Sequence, residues 1–381
     1  MNFVDLRYKP DHEIDEADGA DGVRADVSGA TADKTIRTLA QLKSQDLISD
    51  NEAELLKDVV KSYAVAVTPD MAALIDETDP ADPIARQFVP TIGELDHRPD
   101  EQSDPIGDDL RSPVRGLVHR YPDRVLLKAV GVCPVYCRFC FRREMVGPEN
   151  NGNLSERDLD NALGYIADHP EIWEVIVSGG DPLVLSSRRV AELTQRLEEI
   201  PHVKVVRWHT RVPVVSPQMV TDELADALAS TKLGVYVALH SNHPRELTEA
   251  AREACRKLSR RGVSLLSQSV LLRGVNDDVD TLEELMRGFV ANGIKPYYLH
   301  HMDRARGTGH FRVSIETGQA LMRQLRQRVS GLALPTYALD LPGAHGKVPI
   351  GPDFIAEEDR ESGSYVVTDP HGEQHRYQDT V

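Results

Sequence analysis

Cysteine and positive charge are both in short supply in this sequence. There are four cysteines in 381 residues, and 44 basic side chains stand against 61 acidic ones, for a net charge of −17. Three of the four cysteines are clustered, so they do not form the disulfide framework of a small secreted domain. The excess of negative charge argues against nonspecific binding to nucleic acid or to an anionic membrane.

Long apolar segments are missing as well. No run approaches the roughly 18 residues that span a bilayer. The acidic N-terminus, MNFVDLRYKPDHEIDEADGAD, lacks the apolar core of a secretory signal. These absences predict a cytoplasmic protein with neither a membrane nor a nucleic acid as its partner.

The composition and pattern that are present divide the chain into three regions. Residues 1–30 are acidic and rich in Gly and Ala, which predicts loose order. Residues 34–67 have a helical pattern, and the Pro- and Asp-rich stretch 68–115 predicts a linker with short helices. The predicted division is a helical or irregular N-terminal region over 1–110, a core over 111–325, and a C-terminal segment with its tail over 326–381.

Short apolar runs alternate with helical patterns through the core. This alternation indicates an α/β fold with a parallel sheet and helices outside it. Six such units predict a partial (β/α)6 TIM-like barrel, with its active face where the strands end. A flat doubly wound sheet is the alternative. The predicted strands are 124–130, 174–180, 203–210, 234–241, 263–271 and 294–302.

The stretch CPVYCRFCFRR places Cys133, Cys137 and Cys140 in a C-x3-C-x2-C spacing directly after the first predicted barrel strand. A structural zinc site normally needs four ligands, and Cys255 lies alone in a helical pattern typical of a buried residue. Three thiolates can hold three corners of a [4Fe–4S] cluster and leave the fourth iron open to another ligand. A zinc site and a plain electron carrier remain the alternatives.

Three further stretches carry candidate ligands. In SGGDPL, Gly179 and Gly180 let the backbone approach a ligand closely, unless they only form a strand-to-helix turn. In HRYPDR, two arginines around an aromatic residue are suited to gripping a phosphate and covering a ring, although a solvated loop has the same composition. Lys347, in the Gly- and Pro-rich loop of YALDLPGAHGKVPIGP, is suited to a Schiff base with pyridoxal phosphate, or is a surface charge.

The cysteine spacing, with Phe139 before the last cysteine, resembles the radical S-adenosylmethionine superfamily. Over roughly residues 116–354 the chain further resembles the lysine 2,3-aminomutase family, because eight separated motifs occur in the expected order. These motifs are HRYPDR, CPVYCRFCFRR, SGGDPL, HTRVPVVSPQMVT, HSNHP, QSVLLRGVND, the HMD…GHFR segment and DLPGAHGKVP. The resemblance implies a pyridoxal phosphate-dependent isomerase that moves the α-amino group of L-lysine to the β-carbon.

The resemblance also implies roles for individual residues. Lys347 is then the lysine that carries pyridoxal phosphate. Arg142 would hold the substrate's α-carboxylate, and Asp303 and Asp340 its side-chain ammonium; a neutral or basic residue would be expected in their place in enzymes acting on glutamate. The three cysteines would ligate the [4Fe–4S] cluster. The remaining cofactor-binding positions are Arg120, Tyr121 and Arg124 for pyridoxal phosphate, and Gly179, Gly180, Asp181, His240 and Gln268 for S-adenosylmethionine.

Several alternatives and departures remain. The same chemistry could serve modification of elongation factor P, or act on another amino acid, and a non-catalytic iron–sulfur electron-transfer protein is the alternative from another class. The resemblance implies a reductant such as flavodoxin or ferredoxin and a homo-oligomer. Ala344 and His345 stand where the family usually has glycines, and with only Cys255 to spare no zinc between subunits is expected. In the tail, SYVVTDPHGEQHRY predicts a strand pair.

Overall fold

The structure is a computed structural model that describes residues 34–146, 153–359 and 363–379. The prediction of loose order for residues 1–30 lies outside the described residues. Among the helices of the described ranges, none combines the length and the apolar character required to cross a membrane.

A nine-stranded sheet with sequential strand order forms the centre of the molecule. Strands β2 to β8 run parallel, and β1 and β9 pair antiparallel at the two edges. Sequential order among parallel strands is the arrangement of a barrel, and it excludes the flat doubly wound alternative. The strands are β1 Leu117–Tyr121, β2 Arg124–Val130, β3 Glu174–Gly179, β4 Val205–Thr210, β5 Gly234–His240, β6 Ser264–Val270, β7 Lys295–His300, β8 Thr336–Leu341 and β9 Gly346–Pro349.

Helices connect the parallel strands and cover the outside of the sheet. Each of the six longer helices begins at a Ser, Thr or Asp whose side chain accepts a hydrogen bond from the first turn, which satisfies a backbone donor that the helix leaves free. The helices are α1 Leu39–Ser44, α2 Asp50–Leu55, α3 Val59–Ser62, α4 Pro69–Ala72, α5 Ala85–Phe88, α6 Glu156–Ala167, α7 Ser187–Glu198, α8 Val212–Val215, α9 Asp222–Ala229, α10 Glu249–Ser259, α11 Val279–Ala291 and α12 Ile315–Arg328.

The predicted α/β barrel is confirmed, and the structure adds to it. All six predicted strands are present as β2 to β7, within a few residues of their expected ends. The sheet continues through β8, which pairs parallel with β7 and follows α12. The C-terminal segment predicted to begin at residue 326 therefore contributes two strands to the same sheet. Cys255 is 2% exposed within α10, as expected of a buried residue.

The segment over residues 68–115 contains the expected short helices but is not a loose linker. Ile84 and Phe88 are fully buried in the core that also contains the barrel strands. Four acids of this segment are buried, and each forms an ion pair with an arginine that lies far from it in the sequence. The acids are Asp82, Glu94, Glu101 and Asp108.

A second, three-stranded antiparallel sheet ends the described chain. Its β11 Ser364–Thr368 and β12 Gln374–Gln378 confirm the strand pair predicted from the sequence, with the turn at Asp369–Gly372. The sequence analysis missed the first strand, β10 Ile355–Asp359. The β11–β12 turn contacts α12 through a hydrogen bond from the Gln327 side chain to the carbonyl of Pro370.

Candidate active site

A cavity of about 350 Å³ opens among the carboxyl ends of the parallel strands. Every residue that the sequence analysis singled out for the site lines this one cavity. They are Arg120, Tyr121, Arg124, Cys133, Cys137, Cys140, Arg142, Gly179, Gly180, Asp181, His240, Gln268, Asp303, Asp340 and Lys347. Convergence at the carboxyl ends follows from the parallel strands, since their loops meet on the same face.

The three cluster cysteines lie in the loop after β2, each with a free thiol. Burial raises the pKa of the Cys140 thiol to about 11 and also raises that of Cys137. The Arg211 guanidinium donates a hydrogen bond of 2.9 Å to the Cys137 sulfur, so the protein already supplies a positive partner to one of the three. Because cysteine binds a metal as the thiolate, cluster binding would displace the protons that burial retains on these thiols.

Gly179 and Gly180 are required by the close approach of β3 to the cysteine loop. A Cβ on Gly179 would lie 2.2 Å from the carbonyl oxygen of Val130, and one on Gly180 would lie 2.2 Å from that of Val132. Gly179 also has φ +117°, which side-chain-bearing residues rarely adopt. The glycines thus have a structural reason within the chain, and their contact with S-adenosylmethionine stays a prediction.

Asp181 is buried and holds the end of β4. Its carboxylate accepts hydrogen bonds from the hydroxyl of Thr210 at 2.6 Å and from the backbone N–H groups of Leu183, Arg211 and Val212 at 3.1, 2.6 and 3.2 Å. Burial raises its pKa, although these bonds act in the opposite direction. The position of Arg211 beside the cysteine loop therefore depends on Asp181.

His240 and Gln268 are neighbours across β5 and β6. The His240 ring lies 5.6 Å from that of Phe139, and burial lowers the His240 pKa to about 3, so the ring is neutral. Within the described residues its Nε2 atom is buried without a hydrogen-bond partner. A buried, unpartnered ring nitrogen on a cavity wall is the kind of group that a ligand satisfies.

The β1–β2 hairpin carries the residues that are predicted to bind pyridoxal phosphate. The Arg124 guanidinium lies 3.7 Å from the centre of the Tyr121 ring, and the Tyr121 hydroxyl accepts a 2.7 Å hydrogen bond from the backbone N–H of Lys347. Tyr121 therefore ties the first strand of the sheet to the last. Arg120 donates to Asp108 at 3.1 Å, and its Nη1 lies 3.6 Å from the Asp340 carboxylate.

Asp340 and Lys347 face each other across the β8–β9 hairpin, as register partners. Cross-strand partners project on the same side of a sheet, so the hairpin brings together these two side chains, which are seven residues apart in sequence. The Lys347 ammonium donates to the Asp340 carboxylate, and its Nζ lies 3.1 Å from Nδ1 of His300. In the connecting turn, Ala344 adopts φ +63°, a glycine-like conformation at a position where the family resemblance predicts glycine.

Asp303 lies on the same cavity wall as Asp340. Burial, and next the negative charge of Asp340, raise the Asp303 pKa to about 7. A carboxyl group with such a pKa exchanges its proton near neutral pH. A cation that enters the space between the two acids would favour its ionised form.

Asp108, which the sequence analysis placed in a linker, is part of this site. It accepts two hydrogen bonds from Arg142, from Nε at 2.9 Å and Nη2 at 2.8 Å, and lines the cavity. Burial alone would raise the Asp108 pKa, but Arg142, Lys128 and Arg120 hold it below the usual range. No motif marked this acid, because its partners are distant in sequence.

Glu94, from the same segment, anchors the cysteine loop. It is fully buried and accepts a 2.9 Å hydrogen bond from Arg138 Nε, and Arg143 donates to it as well. Both arginines flank the last cluster cysteine, Cys140. Burial raises the Glu94 pKa, but the two guanidinium groups outweigh it and hold the pKa below its usual range.

Other cavity residues were also missed. Arg211 and His209 lie within the quoted motif HTRVPVVSPQMVT, although no role was assigned to them. Tyr298 and His300 lie within the predicted strand over 294–302 and also line the cavity. Their positions at the end of a parallel strand were the available signal.

Comparison with known proteins identifies the family. The sequence model of the Radical SAM superfamily matches residues 128–286. The chain is 40% identical to L-lysine 2,3-aminomutase of Clostridium subterminale, over 86% of this chain and 78% of the relative. It is 40% identical to L-lysine 2,3-aminomutase of Escherichia coli, over 79% and 88%. Glutamate 2,3-aminomutase of Clostridioides difficile is 36% identical, over 82% and 73%.

The family implies a [4Fe–4S] cluster and S-adenosylmethionine, and the residues present fit both. Three free cysteines face one cavity, as a cluster with an open iron requires. His240, whose buried Nε2 has no hydrogen-bond partner among the described residues, lines the same cavity. With the identity extending over most of the chain and the cysteine loop in the expected place, this protein belongs to the lysine 2,3-aminomutase family, whose members are radical S-adenosylmethionine isomerases.

Proposed function

We propose that this enzyme is a pyridoxal phosphate-dependent L-lysine 2,3-aminomutase, which converts L-lysine to β-lysine. The observation that carries the proposal is a lysine and two acids, Lys347, Asp340 and Asp303, in the cavity that also contains the three cysteines. A reactive amine beside carboxylates is the arrangement needed to bind a carbonyl cofactor and a cationic amino acid together.

The residues around Lys347 fit pyridoxal phosphate. Lys347 would carry the cofactor covalently, with its backbone held by Tyr121. Arg124 and Arg120 would offer guanidinium groups to the phosphate, and the buried, unpartnered Nε of Arg120 is a free donor among the described residues. When bound, pyridoxal phosphate supplies a conjugated ring that carries the migrating amino group and stabilises an unpaired electron.

Charge supports lysine as the substrate. Arg142 would bind the α-carboxylate, with its guanidinium oriented by Asp108. At the other end, Asp303 and Asp340 would bind the side-chain ammonium, whose positive charge compensates the negative charge of the acids. Glutamate carries a side-chain carboxylate, and two acids at that end would repel it. The similarity to a glutamate 2,3-aminomutase is therefore compatible with a different substrate here.

The cluster side of the cavity would generate the radical. Cys133, Cys137 and Cys140 would hold the cluster, and S-adenosylmethionine bound beside it would supply the radical chemistry needed at the β-carbon of lysine. Phe139 and His240 would line its site and exclude water. A cytoplasmic location, a flavodoxin or ferredoxin as reductant, and a homo-oligomer belong to the same proposal.

An anaerobic assay tests this function. Protein reconstituted with iron, sulfide and pyridoxal phosphate, and reduced with dithionite, receives L-lysine and a catalytic amount of S-adenosylmethionine. We expect β-lysine by chiral chromatography, with no product from glutamate or alanine. Cleavage of S-adenosylmethionine without rearrangement would disprove the substrate assignment. Absence of cleavage would support a non-catalytic electron-transfer protein instead.

The assay also bears on the pathway. A role in modification of elongation factor P uses the same chemistry on the same amino acid. The stereochemistry of the β-lysine that is formed therefore helps to distinguish this role from other uses of the product. Adding the purified factor and its ligase then measures whether the product is accepted.

A further inference from the structure

Lys347 ends in the same chemical group as the proposed substrate, and the structure places that group on a substrate-binding acid. The Lys347 ammonium donates a hydrogen bond to Asp340, and the two side chains are only 20% and 13% exposed. His300 holds the other side of the ammonium, with Nδ1 at 3.1 Å from Nζ. The Asp340 subsite therefore already contains an ammonium supplied by the chain itself.

We propose that Lys347 occupies the subsite for the substrate's side-chain ammonium, so that lysine binds there only after pyridoxal phosphate engages Lys347. This inference depends on the proposed function. It makes cofactor loading a precondition of substrate recognition, with Asp340 serving two ammonium groups in succession.

The charges around Asp340 support this order. One oxygen of Asp340 accepts from Lys347, and the other lies 3.6 Å from Arg120 Nη1. With both oxygens facing cations, Asp340 has no unpaired charge to offer a second ammonium. A substrate lysine would bring a like charge next to Lys347 in a part-buried site, where like charges repel more strongly than in water.

Other groups that face Lys347 stabilise this position. His300 is half-buried, and burial, then the charge of Lys347, lower its pKa well below the usual value, so its ring is a neutral acceptor. The Tyr298 ring lies 5.2 Å from Nζ, within cation–π range. Asp303, whose pKa is raised by burial and by Asp340, and the neutral ring of His209 are further titratable groups that interact with the Lys347 charge.

Covalent attachment of the cofactor would remove this internal occupant. The Lys347 amine forms a carbon–nitrogen double bond with the aldehyde carbon, the aldehyde oxygen leaves as water, and the remaining ammonium proton passes to solvent. The nitrogen loses its N–H donors and its charge. Asp340 then regains an unpaired carboxylate for the substrate's ammonium.

Lysine binding to the full chain tests the inference without turnover. The protein is reconstituted with its cluster but not with pyridoxal phosphate, and equilibrium dialysis measures binding of radiolabelled L-lysine. We expect Lys347→Met, which removes the charge, to bind L-lysine at least about tenfold more tightly than the unsubstituted protein. Lys347→Arg, the matched control that keeps the charge, should bind as weakly as the unsubstituted protein.

L-Norleucine, which lacks the side-chain ammonium, is the ligand control, and Lys347→Met should leave its binding affinity unchanged. Lys347→Gln is a second neutral variant, and near-ultraviolet circular dichroism verifies the fold of each. Equal lysine affinity in the unsubstituted and neutral variants would overturn the inference, and so would no binding in either. The proposed function is judged separately, by β-lysine formation in the fully loaded protein, so the two failures are distinguishable.

Discussion

Acids of the N-terminal segment and acids of the barrel meet at the same cavity in opposite electrostatic states. Asp108 comes from the segment, forms ion pairs with Arg142 and Arg120, and has a lowered pKa. Asp303 comes from the loop after β7 and has a pKa raised to about 7. The carboxylate of Asp108 is thus already paired with arginines, whereas that of Asp303 lacks a full counter-charge until a cationic ligand binds.

The two kinds of acid therefore have different roles: acids paired with arginines hold the site in shape, and acids without a full counter-charge bind a cationic ligand. A buried carboxylate bonded to arginines holds those arginines in place, and breaking the pair leaves a buried charge without a partner. A buried carboxylate lacking a full counter-charge is costly to the empty protein and gains most from a cation. Burial alone does not set the direction of the pKa shift, because Glu94 and Asp181 are both buried. The pKa of Glu94, which bonds to two arginines, is lowered, whereas that of Asp181, which accepts from a hydroxyl and backbone N–H groups, is raised.

The largest effect is expected from Glu94→Gln. The substitution leaves Arg138 and Arg143 without their shared carboxylate in a fully buried site, at a cost of about 3–5 kcal/mol in the free energy of unfolding. Denaturant unfolding measures this loss, and iron analysis should show poor cluster reconstitution. Glu54→Gln, in an exposed pair with Lys57, is the control and should change stability by less than about 1 kcal/mol. Similar losses of stability from both substitutions would contradict the conclusion that the buried, arginine-paired acids of the segment stabilise the fold more than exposed acids do.

Asp108→Asn should act on turnover more than on folding. Without the carboxylate, Arg142 loses the acceptor of two hydrogen bonds that fix its guanidinium, and kcat/KM for lysine should fall roughly 10- to 100-fold. Steady-state kinetics under anaerobic conditions measures this fall. The neighbouring Asp109→Asn, whose side chain is 71% exposed, should leave kcat/KM unchanged. An inactive Asp109 variant would show that the region tolerates no change in charge.

The pH dependence of lysine binding sharpens the contrast between the two acids. The Asp303 pKa is about 7 in the protein without ligand, so the carboxyl is mostly protonated at pH 6 and mostly ionised at pH 8. The side-chain ammonium of lysine, with a pKa of about 10.4, stays charged throughout. KM for lysine should therefore fall as pH rises through 7, by roughly tenfold between pH 6 and 8. Asp303→Asn should flatten this dependence, whereas Asp108→Asn should retain it.

The smallest expected effect is on the turn that joins Asp340 to Lys347. Ala344 has φ +63°, a conformation that costs alanine more than glycine. Ala344→Gly should raise the free energy of unfolding by up to about 1 kcal/mol, measured by urea denaturation. In mid-helix α7, Ala191→Gly should lower it by about 0.5–1 kcal/mol. The same sign at both positions would contradict the interpretation of the turn.

Sequence patterns predicted the barrel because its elements obey local rules. The run RVLLKAV coincides with β2, and the remaining predicted strands differ from the observed ones only at their ends. The strands β8 and β9 were missed, since the Gly- and Pro-rich stretch around Lys347 reads as a loop. In fact the hairpin requires those glycines, because Gly343 and Gly346 have positive φ.

Local patterns in the sequence were enough to predict the cysteine loop and the six core strands with the helices between them, because spacing and periodicity are carried by neighbouring residues. Most of the residues that gather at the carboxyl ends of the strands were instead predicted from the resemblance to a known family. Only the tertiary structure decided that Glu94 and Asp108 support the site and that Lys347 rests on Asp340. Ion pairs between residues far apart in sequence depend on three-dimensional proximity, and a Pro- and Asp-rich composition looks the same whether its acids are solvated or buried against arginines.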